Sequence, residues 1–150
     1  RLDTVQYYKN CTIRGNIDFI FGGANAVFDN CRLEPWHHIS GTCYITAPST
    51  PAGKPGYLFV NCTVQGSCAP GSVYLGRPWR ADAACYWLVC AGGWDNWHDP
   101  ENEKTARFGE HGSTGPGSAA KRAFGSVDDD NEANAQREMY ARVKAEFGVE

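Results

Sequence analysis

A carboxylate set within an apolar segment is the first feature of this 150-residue sequence that could take part in chemistry. Asp18 lies in residues 15–23, GNIDFIFGG, with glycines on both sides. In a regular strand Asp18 and Ile20 would share one face, and Phe19 and Phe21 the other. A carboxylate among such neighbours is partly desolvated and needs a partner. The segment predicts either a paired, functional carboxylate or a turn aspartate that adjoins a strand.

A second segment could supply that partner. Residues 74–80, YLGRPWR, contain Arg77, and an arginine can bind a carboxylate through two parallel hydrogen bonds. Pro78 would fix the backbone after it, and Trp79 could present a flat face to a sugar ring or anchor a turn. The alternative is an arginine with a structural role in a loop.

An internal repeat predicts the elements that must position these residues. Its unit is an aromatic or aliphatic segment, then Asn-Cys, then a short β-branched segment, and often Gly. The unit occurs at residues 7–15, 26–34 and 58–66, with a degenerate copy at 86–92. Each copy is typical of a short strand followed by a turn. Because the first three cysteines of the units are 20 and 31 residues apart, we expect the strands to stack as coils of a solenoid.

The cysteines of the repeat, Cys11, Cys31 and Cys62, are expected to stack as thiols in the core. The asparagines beside them would close the turns through side-chain hydrogen bonds. The chain has seven cysteines and no CxxC pair, which argues against a zinc site of that kind. Disulfides stay an alternative, with one cysteine left over.

Composition limits the class of protein. Hydrophobic residues make up 42% and charged residues 21%, which favours one packed domain over residues 1–150. The net charge of −3 and the lack of a long basic run argue against nucleic acid as a partner. No apolar run approaches the roughly 18 residues of a membrane span, and no signal peptide is visible. The chain begins at Arg1 rather than Met, which is compatible with the loss of a leader or upstream segment.

The last fifty residues differ from the rest. Acidic residues at positions 128–132 precede four apolar residues at helical spacing: Met139, Tyr140, Val143 and Phe147. This predicts a helix at about residues 131–147 that packs on the body through its apolar stripe. Residues 92–117, rich in Gly, Trp, Asn and Pro, show no steady period and predict a long irregular surface segment. The core is therefore expected at about residues 5–117.

Four segments together resemble successive signatures of the pectin methylesterases, or pectinesterases, in family order. They are residues 15–31 (GNIDFIFGGANAVFDNC), 44–47 (YITA), 74–79 (YLGRPW) and 93–105 (GWDNWHDPENEKT). The sequence looks closer to bacterial members and resembles the C-terminal portion of the catalytic domain. The resemblance implies an all-β fold, a right-handed parallel β-helix that is partial because its N-terminal coils are missing, followed by the C-terminal helix.

The resemblance also implies an activity: hydrolysis of the methyl esters on galacturonate units of pectin, with no metal or other cofactor. Asp18 matches the family's nucleophilic aspartate, which would attack the ester carbonyl and form an acyl-enzyme. Arg77 matches the arginine that holds this carboxylate ionised. Phe21 and Trp79 match aromatic residues that line the sugar-binding cleft.

The family's second carboxyl, which protonates the departing methanol and then activates water, has one candidate here. It is Asp3, 15 residues before Asp18. In the family this aspartate follows a glutamine of the oxyanion hole and lies farther upstream. Here Leu2 precedes Asp3 and cannot donate a side-chain hydrogen bond. Either intervening residues have been deleted and Asp3 is the acid, or the motif is absent and Asp3 is a chance match.

The leading hypothesis is a secreted, extracellular or periplasmic carbohydrate esterase. We expect a monomer whose partner is methyl-esterified pectin (homogalacturonan), with no binding to nucleic acid or membrane. The alternative is a non-catalytic β-helix fragment or paralogue that binds acidic polysaccharide through Phe21, Arg77 and Trp79. A pectate lyase or a polygalacturonase would share the fold. The former needs a calcium-binding cluster of carboxylates and the latter paired aspartates near a Gly-His, and the sequence shows neither pattern.

Overall fold

The computed structural model describes residues 5–36, 41–69, 71–88, 98–114 and 124–149. Within these ranges the chain is mostly β-structure. The strands are β1 (Val5–Lys9), β2 (Thr12–Gly15), β3 (Ile17–Gly22), β4 (Asn25–Asp29), β5 (Arg32–Pro35), β6 (Cys43–Pro48), β7 (Tyr57–Val60), β8 (Thr63–Val64), β9 (Val73–Gly76), β10 (Ala84–Leu88), β11 (Arg107–His111) and β12 (Ser126–Val127). The helices are α1 (Asn102–Thr105) and α2 (Asp130–Phe147).

The strands form three parallel sheets. Sheet I consists of β1, β4, β7, β10, β11 and β12, sheet II of β2, β5 and β8, and sheet III of β3, β6 and β9. From β1 to β9, consecutive strands enter sheets I, II and III in turn, and they pair in parallel with the strands of the next coil. Each of these coils therefore adds one strand to each sheet. This is the right-handed parallel β-helix that the sequence predicts.

An aromatic stack runs through the core along sheet I. Tyr8 pairs in register with Phe28, Phe28 with Phe59, and Phe59 with Trp87. The ring centroids are 4.9, 4.4 and 3.9 Å apart along this series. Phe59 and Trp87 are fully buried. Because the repeat places these rings at one position of each unit, their stacking follows from the sequence.

The turn after each of the first three strands of sheet I is made by an asparagine. Asn10, Asn30 and Asn61 have left-handed φ angles of 56°, 50° and 53°, a conformation that asparagine tolerates better than most residues. The Asn30 side chain donates to that of Asn10 over 2.7 Å, which adds a bond between coils. The sequence predicts asparagine at these turns, and the left-handed backbone supplies the reason for that choice.

The cysteines that follow these asparagines point to the core. Cys31 and Cys62 are buried, Cys11 of the first coil is half-buried, and none of the three forms a disulfide. The thiols of Cys31 and Cys62 donate to carbonyls of the preceding coil, those of Tyr8 at 3.5 Å and Phe28 at 3.3 Å. Burial raises the pKa of the Cys62 thiol to about 12, so this thiol is protonated and unreactive at neutral pH. The predicted stack of core thiols is confirmed.

Helix α2 agrees with the predicted C-terminal helix and covers the outer face of sheet I. Asp129 caps its start by accepting hydrogen bonds from the amides of Asn131 and Glu132. Gly148 ends it in a left-handed conformation. Four side chains of α2 pack on the outer side chains of sheet I: Ala133, Met139, Tyr140 and Val143. Neither α1 nor α2, the helices of the described ranges, is long and apolar enough to cross a membrane.

The end of α2 meets the first strand of the chain. Phe147 stacks on Tyr7 with ring centroids 5.6 Å apart. Tyr7 donates a hydrogen bond to the buried Asp29 of β4, and Tyr140 of α2 bonds to the same carboxylate. Burial and this carboxylate raise the pKa of Tyr140 to about 12 and raise that of Tyr7 as well. The last helix is therefore tied to β1 and β4.

The structure corrects the prediction of one irregular segment, and it leaves the prediction of missing N-terminal coils untested. The segment expected to be irregular, residues 92–117, contains α1 and β11, and β11 pairs in parallel with β10. Strands β1, β2 and β3 lie at one edge of their sheets, and an open cavity of about 640 Å³ there exposes core side chains such as Ile13 and Phe19. That further coils precede this edge stays a prediction.

Candidate active site

A bulge in β3 turns Asp18 to the outside of the β-helix. Ile17 pairs with Tyr44 of β6 and Ile20 pairs with Thr46, so three steps along β3 match two along β6. One extra residue in β3 breaks the alternation of side chains. Asp18 lies at this point and has a left-handed φ of 51°.

The bulge corrects the alternation that the sequence predicts for β3. Ile20 is buried in the core and Phe19 packs against the same cluster, so these two neighbours face the same side. Gly15 makes room for this, because a Cβ on residue 15 would lie 2.3 Å from the Cβ of Phe19. Phe21 is 67% exposed. Asp18 therefore lies on the outer face with Phe21 and not with Ile20.

Arg77 reaches Asp18 from two coils further along the chain. It follows β9, and its amide donates to the carbonyl of Thr46 over 3.0 Å. Gly76 permits this close approach, since a Cβ there would lie 2.0 Å from Oγ1 of Thr46. Tyr44, in the coil between, supports the guanidinium, whose Cζ lies 3.8 Å from the ring centroid.

Asp18 and Arg77 form a two-point ion pair. Nε of Arg77 donates to Oδ1 at 2.9 Å, and Nη2 donates to Oδ2 at 2.7 Å. Both side chains are mostly buried, which strengthens a charged hydrogen bond. The structure thus brings together residues 59 positions apart. A carboxylate has about four lone-pair sites, so Asp18 keeps lone pairs that can face a substrate.

Two exposed aromatic rings lie beside this pair in the chain. Phe21 comes three residues after Asp18, and Trp79 comes two after Arg77. Their rings meet edge to face with centroids 6.2 Å apart. The amide of Trp79 donates to the carbonyl of Pro48 over 2.9 Å, which fixes the backbone below the ring. The arrangement offers a held carboxylate and an apolar surface on the same side of the β-helix.

Sequence reasoning missed Tyr44 as a member of the site. The Arg77 guanidinium lies over the Tyr44 ring. The Tyr44 ring also stacks on the ring of Tyr74, with centroids 5.2 Å apart. The available signal was its place in residues 44–47, YITA, one of the four segments that carry the family resemblance. Tyr44 lies in β6, the strand that pairs with both β3 and β9, and so stands between Asp18 and Arg77.

Other candidates lie beyond the described ranges. Asp3, the candidate acid, is among them, as are residues 93–97 of the segment 93–105 that resembles the family. The role of Asp3 therefore stays a prediction. Among the residues that the structure does describe, no three His, Cys, Asp or Glu side chains gather in a group that could hold a metal ion.

Comparison with known proteins identifies the family. The model of the family described as Pectinesterase matches residues 2–128. This chain belongs to the pectinesterase family. The matched range of this pectinesterase chain includes Asp18, Arg77 and the two exposed rings of Phe21 and Trp79.

Individual relatives of this pectinesterase chain agree with the family match. Pectinesterase 31 of Arabidopsis thaliana is 38% identical over 124 residues, which cover 77% of this chain and 38% of that protein. Pectin methylesterase from carrot has a TM-score of 0.74 at 27% identity, covering 86% of this chain and 47% of the carrot chain. A pectin methylesterase mutant in complex with a hexasaccharide has a TM-score of 0.71 at 26% identity, covering 87% of this chain and 48% of that chain.

This pectinesterase chain thus spans 38% of the length of the curated relative and about half of each solved structure. The closeness to bacterial members that the sequence indicates is not tested by these three proteins and stays a prediction.

Proposed function

We propose that this chain hydrolyses the methyl esters of galacturonate units in pectin and releases methanol. The observation that carries the proposal is the two-point pair of Asp18 with Arg77, close in the chain to the exposed rings of Phe21 and Trp79. A carboxylate held in this way can attack an ester bound on the neighbouring apolar surface. The hexasaccharide bound to a similar pectin methylesterase supports a saccharide ligand.

Asp18 is the proposed nucleophile. One of its oxygens attacks the carbonyl carbon of the methyl ester, and the tetrahedral intermediate collapses with loss of the methoxy group. The enzyme then carries an anhydride between Asp18 and the galacturonate carboxyl. Water adds to this anhydride, which restores the Asp18 carboxylate and frees the galacturonic acid. Arg77 keeps the carboxylate in one orientation before each attack.

Asp3 is the proposed acid and base. The departing methoxy group needs a proton, which Asp3 would donate in the first step. The carboxylate that results would take a proton from the attacking water in the second step. Phe21 and Trp79 are proposed to hold the sugar ring during both steps.

The remaining parts of the proposal concern the setting of the reaction. The proposed steps use carboxylates and water, so they require no metal or organic cofactor. We propose that residues 1–150 act as one unit, as a monomer, on pectin outside the cell. Membership of the pectinesterase family supports this setting.

The test is methanol release from highly methylated pectin, with Asp18→Asn as the decisive variant. Asparagine keeps the shape of the side chain but lacks the negative charge of the nucleophile, so we expect a loss of about 10³-fold or more in kcat/KM. Asp82→Asn is the matched control, because Asp82 is an exposed carboxylate in the turn that follows Trp79. This control should release methanol at the rate of the parent protein.

Two results would contradict the proposal. Equal methanol release by the parent and by Asp18→Asn would exclude Asp18 as the nucleophile. A folded parent protein that binds oligogalacturonides but releases no methanol would favour the non-catalytic binding protein instead. In that case Trp79→Ala should weaken the binding.

A further inference from the structure

A charged cluster lies on the outer face of sheet II, apart from the Asp18–Arg77 pair. Arg14 of β2 pairs in register with Glu34 of β5. Nε and Nη2 of Arg14 donate to Oε2 of Glu34 at 2.8 and 2.6 Å. Nε of Arg32 lies 2.7 Å from the other oxygen, Oε1. One carboxylate therefore holds two guanidinium groups next to each other.

The cluster presents positive charge to solvent. Two arginines face one glutamate, so the formal charge of the cluster is +1. The side chains of Arg14 and Arg32 are 65% and 51% exposed, whereas that of Glu34 is 11% exposed. Hydrogen bonds from Arg14 and the charges of both arginines lower the pKa of Glu34, so the glutamate is ionised at neutral pH. The carboxylate lies beneath, and the guanidinium groups form the accessible surface.

An exposed tryptophan stands beside these arginines. Trp36 directly follows β5 and is 53% exposed. Its amide donates to the carbonyl of Gly15 over 3.0 Å, so its backbone is fixed to the preceding coil. Trp36, the arginines and residues 65–67 line a common groove of about 370 Å³. The groove therefore combines one flat apolar ring with two positively charged side chains.

We propose that this groove is an accessory site for an ionised uronate unit of an acidic polysaccharide. The carboxylate of the sugar would bind the outward N–H groups of Arg14 and Arg32, and the flat apolar face of the sugar ring would stack on Trp36. A methyl-esterified unit lacks the charge that the arginines recognise. The site therefore selects the de-esterified form of the sugar.

The position of the groove relates it to the candidate active site, and this part of the inference depends on the proposed function. Arg14 precedes Asp18 by four residues, around one corner of the first coil. Four residues of extended chain span at most about 14 Å between Cα atoms. Ester hydrolysis turns a neutral sugar into an anion. The accessory site would therefore bind the product stretch of a polymer whose esters are cleaved nearby.

A purely structural role of the cluster makes a different prediction. Glu34 and the two arginines join β2 to β5, and such a cross-strand network alone would alter stability when it is mutated. It would not respond to a ligand. The measurement must therefore report on binding at Trp36 itself.

The experiment follows the indole N–H signal of Trp36 by nuclear magnetic resonance during titration with trigalacturonic acid. The fully methylated trimer is the ligand control. We expect the Trp36 signal to move with the acid and not with the ester, and the effect to weaken as salt is added. Arg32→Gln should weaken binding at Trp36 at least fivefold, while Arg142→Gln on the exposed side of α2 should leave it unchanged.

Glu34→Gln provides a second test whose sign distinguishes the two roles. It raises the formal charge of the cluster from +1 to +2, so the proposed site should bind the trimer more tightly, by several-fold at low salt. Melting curves of each variant establish that it is folded. Three results would overturn the proposal: a Trp36 signal that does not move with the acid, a signal that moves equally with the ester, or a response that Arg32→Gln leaves unchanged.

Methanol release is measured on the same samples, which separates this inference from the proposed function. Methanol release without a change in the Trp36 signal would exclude the accessory site and support the esterase activity. A change in the Trp36 signal without methanol release would exclude the esterase activity and support a site for an acidic polysaccharide.

Discussion

Sheets I and III are built from the same coils, yet they use their strands in different ways. In sheet I the strands from β1 to β10 pair without a break, and the rings of Phe28, Phe59 and Trp87 stack in the core. In sheet III the pairing of β3 with β6 shifts by one residue at Asp18. Phe21 and Trp79 of that side stay exposed.

The difference shows how one repeat can provide both stability and a site. Regular stacking buries identical positions of successive coils, and this is where the free energy of folding accumulates. The bulge and the left-handed Asp18 give up regularity at one point, which costs stability but turns a carboxylate outward. The predictions below test whether the two sides divide these tasks as the geometry indicates.

The largest expected effect is a difference in stability between two phenylalanine variants, one in sheet I and one in sheet III. Phe59→Ala removes a fully buried ring from the centre of the stack, and we expect it to lower the free energy of unfolding by about 3–5 kcal/mol. Phe21→Ala removes a ring that is mostly exposed, and its effect should stay below about 1 kcal/mol. Urea unfolding followed by circular dichroism measures both. Similar losses for the two variants would mean that sheet III also contributes to stability through its outer rings.

A change in the Asp18–Arg77 pair should affect activity far more than stability. Arg77→Lys keeps the charge but loses the second hydrogen bond and the planar contact with Tyr44. We expect kcat/KM for methanol release to fall by about 10²-fold because the carboxylate is no longer held in one orientation. Arg142→Lys, at an exposed arginine of α2, is the control and should retain the activity of the parent. Loss of folding in Arg77→Lys would assign the pair a structural role instead.

The turns of sheet I allow a smaller test of the backbone. Asn61 has a φ of 53°, which costs most non-glycine residues about 1–2 kcal/mol. Asn61→Ala should therefore destabilise the protein by about that amount. Asn61→Gly should cost less, since glycine adopts this conformation without strain. Equal losses in thermal unfolding would show that the side chain of Asn61, and not its backbone angle, matters at this turn.

The smallest expected effect is on stability at high pH, and it concerns the outer face of sheet I that α2 covers. The folded protein raises the pKa of Tyr140 to about 12, against about 10 in an unfolded chain. The unfolded state therefore loses this proton first, so the contribution of Tyr140 is complete below pH 10 and is lost as the pH rises toward 12. In Tyr140→Phe the free energy of unfolding should decline less steeply over this range. Met139→Leu, which changes a neighbouring residue that does not titrate, should decline as the parent does.

The register of sheet I could be predicted from the sequence. The repeat aligns Tyr8, Phe28, Phe59 and Trp87, and the structure pairs these residues strand by strand. This succeeds because each coil must return to the same point with the same turn, so equivalent residues fall on top of one another. The C-terminal helix could also be predicted from the sequence, because its acidic start and its apolar stripe are local features.

The finer features of sheet III could not be predicted in this way. A one-residue bulge leaves the composition of β3 unchanged, so the sequence offered no sign that Phe19 and Ile20 would both face inward. The proximity of Asp18 to Arg77 came from a family resemblance, because the spacing of 59 residues has no meaning until the coils are counted. The contribution of Tyr44 required the stacked geometry itself.

Strand β11 was missed for a different reason. It contains Gly109 and the buried Glu110, residue types that disfavour a strand when they are taken alone. A Cβ on residue 109 would lie 2.5 Å from Oγ of Ser126, so the glycine is required by the neighbouring strand. Ser113 donates to Glu110 and offsets its burial. Both requirements arise only after the coils have stacked.

Helix α2 has a consequence for how the molecule unfolds. Its 18 residues extend about 27 Å, close to the width of about 24 Å that five strand spacings give sheet I. It begins where Asp130 meets His111 of β11 and ends where Phe147 meets Tyr7 of β1. A solenoid held only by contacts between neighbouring repeats can open from either end separately. Here the opening of either end disturbs the same helix, so we expect the amide protons of β1 and β11 to exchange together, in a single cooperative event.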